Sequence, residues 1–282
     1  MYGDWREWPL TSRLILAEGK KLIVQREIYI ALVLCTLLFI FSLNVNEEPD
    51  WMPLLFWKWM IDSMPYIGYW FITISIVVGA ARCLPFEHEQ RMEPLLHTYP
   101  GGHTKLLIAK LVVLLGYCAL VVFYYFMVAA VVLAVFYEPG SLLRSAEETS
   151  ANYVQLEGQW AIWQAMLMEY GYLLLSSFVV ALCYFCLSQF IRKSVLIMLI
   201  GGGVFALTEL LDKYVMNLIG QMHVAEYVGL FIQYSFNSLL SFRYLDFFEM
   251  KDVFVGLCVA AILLIGLNII VWKVRVHAQL GD

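Results

Sequence analysis

Residues 111–137 read LVVLLGYCALVVFYYFMVAAVVLAVFY, twenty-seven residues without a charge between Lys110 and Glu138. A helix needs about 20 largely apolar residues to cross the hydrocarbon layer of a bilayer, so this run is long enough to span one. Moving outward along the chain, further charge-free stretches occur at 28–46, 63–81, 170–191, 194–208 and 253–272. The stretch from 194 continues apolar through Leu210 and Leu211 around the single Glu209. The pattern predicts an all-α integral membrane protein of six transmembrane helices, at about 28–46, 63–82, 106–137, 168–191, 194–213 and 253–273.

Composition agrees. The 282 residues are 62% hydrophobic, 16% aromatic and 15% charged. A soluble domain carries roughly 25% charged residues, so a water-soluble enzyme core, a disordered chain and a nucleic-acid binder are all disfavoured. The formal charge of −5 gives no reason to expect nucleic acid, and the lipid bilayer is the expected surrounding partner.

Lysine and arginine set the expected orientation, because cytoplasmic loops carry the excess of both. Thirteen of them (Arg6, Arg13, Lys20, Lys21, Arg26, Arg82, Arg91, Lys105, Lys110, Arg192, Lys193, Lys273, Arg275) fall on one side of the six spans. Five (Lys58, Arg144, Lys213, Arg243, Lys251) fall on the other, where acids are frequent. The expectation is a multi-pass protein of the cell membrane with both termini cytoplasmic. Twenty-seven residues precede the first run and no A-x-A site follows it, so that run reads as a retained span.

No linker or repeat divides residues 1–282, which read as a single transmembrane domain. The six cysteines lie in or beside apolar stretches and read as small packing residues, Cys183 and Cys186 of the C-x-x-C included. At about 11–26, TSRLILAEGKKLIVQR places Leu14, Ile15, Leu22 and Ile23 on one side with Arg13, Glu18, Lys20 and Lys21 interleaved, as an amphipathic interfacial helix would. Between the fifth and sixth spans, apolar runs are interrupted by Gly220, His223, Glu226 and Gly229. Short helices in the outer leaflet suit 218–243 better than a seventh span, which would carry Lys273 and Arg275 outside.

The second-to-third connection, FEHEQRMEPLLHTYPGGHTKLLIAK (Phe86 to Lys110), is longer than a plain turn requires. Glu87, Glu89, Arg91 and Glu93 form a charged start, Leu95 and Leu96 an apolar pair, and Pro100-Gly101-Gly102 a turn. Thr104 offers a cap for the next helix. An apolar pair between charges on a short loop is a docking knob.

This ordered set resembles the loop of type-2 ABC transporter permeases, the transmembrane subunits of drug, peptide and polysaccharide exporters. Glu87 and Glu89 match the acids of their pattern, Leu95 and Leu96 the leucine pair, Thr98 and Pro100 the T-P element with Tyr99 inserted, and Lys110 the distal lysine. Met92-Glu93 stand where Gly-Thr is usual. The resemblance implies that 86–104 holds a cytoplasmic coupling helix seated in a groove of an ABC ATPase subunit. It also implies a second permease subunit, as a homo- or heterodimer.

The chain has no G-x-x-x-x-G-K-[ST], so ATP and Mg are expected on the partner ATPase and no cofactor in this chain. No metal site is expected either, because His88, His97 and His103 lack ligand spacing and Met92 stands where H-E-x-x-H needs its second histidine. There is no G-x-S-x-G, and no catalytic residue is assigned.

Glu169 and Glu209 lie near spans. Glu169 is 23 residues from Arg192, about 34 Å of helix, at the outer headgroup level. Glu209 falls slightly inside the outer interface, with Lys213 four residues on as a local partner. Glu209, Tyr117, Tyr124 and Tyr125 are candidates for a substrate pathway, although packing explains the tyrosines equally well. Gly201-Gly202-Gly203 suits close helix packing at a subunit seam.

Two functions fit. One is the permease subunit of an ATP-driven exporter, not an enzyme by itself, moving a hydrophobic, lipid-like or peptide substrate outward by alternating access. The other is a membrane-embedded sensor, immunity protein or enzyme with no transport role. A neighbouring gene for an ATPase with the phosphate-cradling motif would favour the first.

Overall fold

A computed structural model of the chain describes residues 10–42, 55–83, 102–145, 160–191, 193–210 and 250–280. Eight α-helices lie within them: α1 (Leu10–Ile23), α2 (Arg26–Ser42), α3 (Leu55–Asp62), α4 (Tyr69–Cys83), α5 (Gly102–Phe136), α6 (Ile162–Phe190), α7 (Ser194–Leu210) and α8 (Met250–Leu280). A π-helical turn, Met64–Gly68, joins α3 to α4. Among the described residues there is no strand, and Ser145 meets Ala161 in an isolated bridge.

Three helices are long and apolar enough to cross a membrane: Lys105–Phe136 in α5, Ile162–Phe190 in α6 and Asp252–Arg275 in α8. The helix expected at 106–137 begins at Gly102, so Thr104 lies inside its first turn and is not the cap. The helix expected at 168–191 starts at Ile162. α4 and α7 are apolar but shorter, at 15 and 17 residues. α1 and α2 meet at a bend of 57° across Val24 and Gln25. The turn falls at Val24 and not after Arg26, inside the segment expected as an interfacial helix.

The helix expected at 63–82 starts earlier and carries a defect. Pro65 has no N–H to donate, and the ladder here shifts by one residue. Ser63 O accepts from both Ile67 N at 3.0 Å and Gly68 N at 3.1 Å, and Tyr69 N bonds Met64 O. Before it, α3 buries Leu55, Phe56, Trp57, Met60 and Ile61. Trp57 donates its indole N–H to Gly140 O at 2.9 Å.

α4 packs against α2, α5, α6 and α7 and forms the centre, with α1 against α5 and α8 against α6. Water drives none of this association inside a bilayer, so small residues that permit close approach carry it. A Cβ on Gly79 of α4 would overlap the Tyr117 ring, and one on Gly201 of α7 would lie 2.9 Å from both Val77 and Tyr184. Gly202 and Gly203 face open space. The expected close packing of the glycine run therefore belongs to Gly201 and is made within the chain. On the outer side of α8, Val255, Val259, Ile262, Leu263 and Ile270 are exposed, as lipid-facing residues are.

Residue pairs give the helix directions. Glu18 with Lys110 and Thr36 with Tyr124 rise together, so α1 and α2 run with α5. Tyr117 with Ser75 and Tyr125 with Ser63 run oppositely, so α5 opposes α4. Val77 with Gly201 and Tyr69 with Glu209 make α7 oppose α4 too. Leu182 with Asn268 and Gln189 with Arg275 set α8 parallel to α6. One end of the bundle consequently gathers Lys21, Arg82, Lys105, Lys110, Lys193, Lys273 and Arg275, and we call it the basic end.

Candidate functional site

The expected coupling residues Glu87, Glu89, Arg91, Glu93, Leu95, Leu96 and Pro100 lie outside the described residues, as does 218–243. The two anchors of the 84–101 segment are described, and both sit at the basic end. α4 stops at Cys83, whose carbonyl is one of the last four that no intrahelical N–H can reach. Lys110, two turns into α5 and fully buried, donates to that carbonyl at 3.3 Å and to Glu18 Oε2 at 2.8 Å. Lys21 donates to the other oxygen, Glu18 Oε1, at 2.5 Å.

α1 turns part of its polar face toward the bundle. Glu18, Leu22 and Gln25 are buried against the protein, while Ile23 and Val24 are exposed. A carboxylate between two ammonium groups offsets the cost of removing all three from water, which an isolated charge could not do. Beside it, Arg82 of α4 pairs with Glu27 of α2. Charge therefore ties α1, α2, α4 and α5 together where the 84–101 segment leaves and returns.

At the opposite end, the ties described are made by hydroxyls and aromatic rings, beside the buried acids Glu169 and Glu209. Tyr125 is buried, shares a 2.9 Å hydrogen bond with Ser63 at the π turn, and packs edge-on against Phe39, Phe71 and Phe126. Tyr124 hydrogen-bonds Thr36 at 3.2 Å. Tyr117, nearer the basic end, donates to Ser75 O at 2.6 Å beneath Gly79. These three expected pathway tyrosines join α5 to α2 and to the α3–α4 run. Glu209 belongs to a different neighbourhood, on α7, where Tyr69 of α4 donates to its Oε2 at 2.8 Å.

The local partner expected for Glu209, Lys213, lies outside the described residues. Tyr69 is 140 positions away in sequence, a pairing that no local spacing could reveal. Glu169, expected at the outer headgroup level, is buried by protein seven residues after the start of α6.

Between α6 and α8, Gln189 donates to Asn268 Oδ1 at 2.7 Å, Asn268 donates to Leu182 O at 3.3 Å, and Arg275 donates to Gln189 O at 3.2 Å. This network fixes the register of the outermost helix. The cysteines are free thiols, with Cys35, Cys83 and Cys118 buried, Cys183 and Cys186 half-buried, and Cys258 exposed on α8. Among the described residues, no three histidine, cysteine or acidic side chains converge as a metal site would require.

No protein-family model matches the sequence, and no curated protein matches it. The exporter resemblance accordingly rests on the ordered residues of 86–110 themselves.

Proposed function

We propose that the chain is the transmembrane permease subunit of an ATP-driven exporter of the type-2 ABC class. In this reading it is a six-span cell-membrane protein with both termini cytoplasmic, working as a dimer above two ATPase subunits. α2, the α3–α4 run, α5, α6, α7 and α8 alternate in direction, which supports six crossings. The segment 86–104 receives the ATPase, and a hydrophobic, lipid-like or peptide substrate leaves by alternating exposure of a cavity between the two permeases.

The observation that carries the reading is the buried tie among Lys110, Glu18 and the Cys83 carbonyl. A permease without a nucleotide site can use ATP only through a mechanical contact, and a contact transmits force only if its anchors do not yield. Here the segment leaves α4 at Cys83 and re-enters α5 two turns before Lys110, so both anchors share one ammonium group. Pressure on 86–104 would move α1, α4 and α5 as one unit, while the substrate end responds by repacking rings and hydroxyls. The chain itself supplies binding and movement. It is assigned no catalytic step, and ATP with Mg belongs to the partner.

Purification from its native membranes in mild detergent tests this. The expected result is a complex with equal numbers of permease and of an ATPase carrying the phosphate-cradling motif, with vanadate-sensitive ATP hydrolysis. Recovery of the chain with no ATPase, in a preparation that retains a known exporter complex, would count against the proposal.

A further inference from the structure

The exposed side of α2 begins with a charge. α2 buries Ile28, Ala31, Cys35 and Phe39, whereas Ile30, Val33, Leu37 and Phe41 are exposed. At about 100° of turn per residue, the exposed four fall within about 60° of the direction of Arg26, and the buried four point the other way. Arg26 is itself exposed and makes no hydrogen bond or ion pair among the described residues. One cation therefore heads an apolar strip. From Arg26 to Leu37 the helix rises about 17 Å, close to half of the roughly 30 Å of hydrocarbon in a bilayer. Just before Arg26, at the 57° bend between α1 and α2, Ile23 and Val24 are 61% and 78% exposed. Aliphatic side chains at headgroup depth are covered by the upper acyl carbons of a lipid.

The surroundings select an anion. Lys20, Arg26, Lys105, Lys193 and Lys273 are exposed at the basic end. The two acids described there are both taken, Glu18 by Lys21 and Lys110 and Glu27 by Arg82. A guanidinium presents a planar fork of donors that fits phosphate oxygens two at a time. A zwitterionic headgroup would bring its own positive charge to a positive rim. A second copy of the chain, set parallel against this strip, would place cations against cations.

We propose that Arg26, the strip Ile30, Val33 and Leu37, and the corner residues Ile23 and Val24 form a binding site for an acidic phospholipid of the surrounding leaflet. Its phosphodiester takes the Arg26 guanidinium, and one acyl chain lies along α2. The site rests on the membrane setting of the chain and not on the exporter reading.

The test is photocrosslinking of phosphatidylglycerol, with a diazirine in one acyl chain, to the purified chain in phosphatidylcholine nanodiscs, followed by mapping of the labelled residues by mass spectrometry. The expected label falls on Ile30, Val33 or Leu37 and is competed away by unlabelled phosphatidylglycerol despite the excess of phosphatidylcholine. Arg26→Gln should lower it about fivefold, the contribution of one cation beside an anionic headgroup. Arg26→Lys should keep most of it, and Lys273→Gln, at an equally exposed cation on α8, should change it less than twofold. Because Arg26 bonds no described residue, R26Q should melt at the parent's temperature in these discs. Parent-level labelling of α2 in folded R26Q, or an equal loss in K273Q, would overturn the site. Label present in discs holding one copy and absent in discs holding two would give the strip to a second copy and overturn it as well. No ATPase is present, so a failure here would leave the exporter reading standing, and a failure of ATP coupling would leave the lipid site.

Discussion

The two ends of α4 are held by opposite chemistries. At Cys83, buried ions join α4 to α1 and α5 through Lys110 and Glu18, and Arg82 reaches Glu27 of α2. At the other end Tyr69 donates to Glu209, and Ser63 shares a hydrogen bond with Tyr125, in a setting of rings around a π turn. The difference teaches where the bundle is stiff. Parting a buried ion pair strands a charge in low dielectric, whereas a neutral hydroxyl bond such as that between Tyr125 and Ser63 contributes about 0.5–1.5 kcal/mol and can be exchanged for another. On the proposed function, the basic end moves as a block and the aromatic end rearranges.

The largest effect should come from breaking the block. Lys110→Met leaves the Glu18 carboxylate buried with one ammonium fewer, and should cost about 3–5 kcal/mol in detergent unfolding. The double variant Lys110→Met with Glu18→Met removes both charges and should recover most of that loss. If the double variant is no better than the single, the residues do not act as a pair.

Next come the close approaches. Gly79→Leu drives a side chain into the Tyr117 ring and Gly201→Leu into Val77 and Tyr184, so each should lose about 1–3 kcal/mol. Gly202→Leu faces open space and should stay within about 0.5 kcal/mol of the parent in the isolated chain. Equal losses at Gly201 and Gly202 would place a packing surface on the outer face of α7.

At the aromatic end, Tyr69→Phe removes the donor to Glu209 and the acceptor of the Trp70 N–H, and about 1–2 kcal/mol should go with them. A loss as large as that of Lys110→Met would erase the contrast between the ends. Smallest of all, Arg82→Gln should cost less than about 1 kcal/mol, because the side chain of its partner Glu27 is 45% exposed and solvent screens the pair.

How much of this was legible depended on whether the deciding interaction was local. α5, α6 and α8 follow from charge-free runs, because length and apolarity are properties of the segment itself. α3 was hidden: Lys58 and Asp62 end the charge-free stretch, yet the helix forms because Leu55, Phe56, Trp57, Met60 and Ile61 are buried against the rest. The burial of Glu18 in α1 was hidden for a related reason. Apolar spacing assumes that acids seek water, but Glu18 turns inward toward a lysine 92 positions away. Lys110 was singled out only through the family resemblance, and its partner had no signal beyond the local Glu18–Lys21 spacing. Tyr69 was missed because nothing in an aromatic pair at a helix start foretells a partner 140 positions away.

The central claim is that 86–104 carries force from an ATPase into the clamped end, and it can be tested with one reconstitution. Leu95→Asp with Leu96→Asp puts unpaired charge where an apolar knob should enter the partner, leaving Lys110, Glu18 and the bundle untouched. Vesicles holding permease and ATPase should then show loss of permease-stimulated ATP hydrolysis and loss of ATPase retention on a column, with the variant inserted and as heat-stable as its parent. Wild-type stimulation and retention in that variant would contradict the account and leave the segment as a connector.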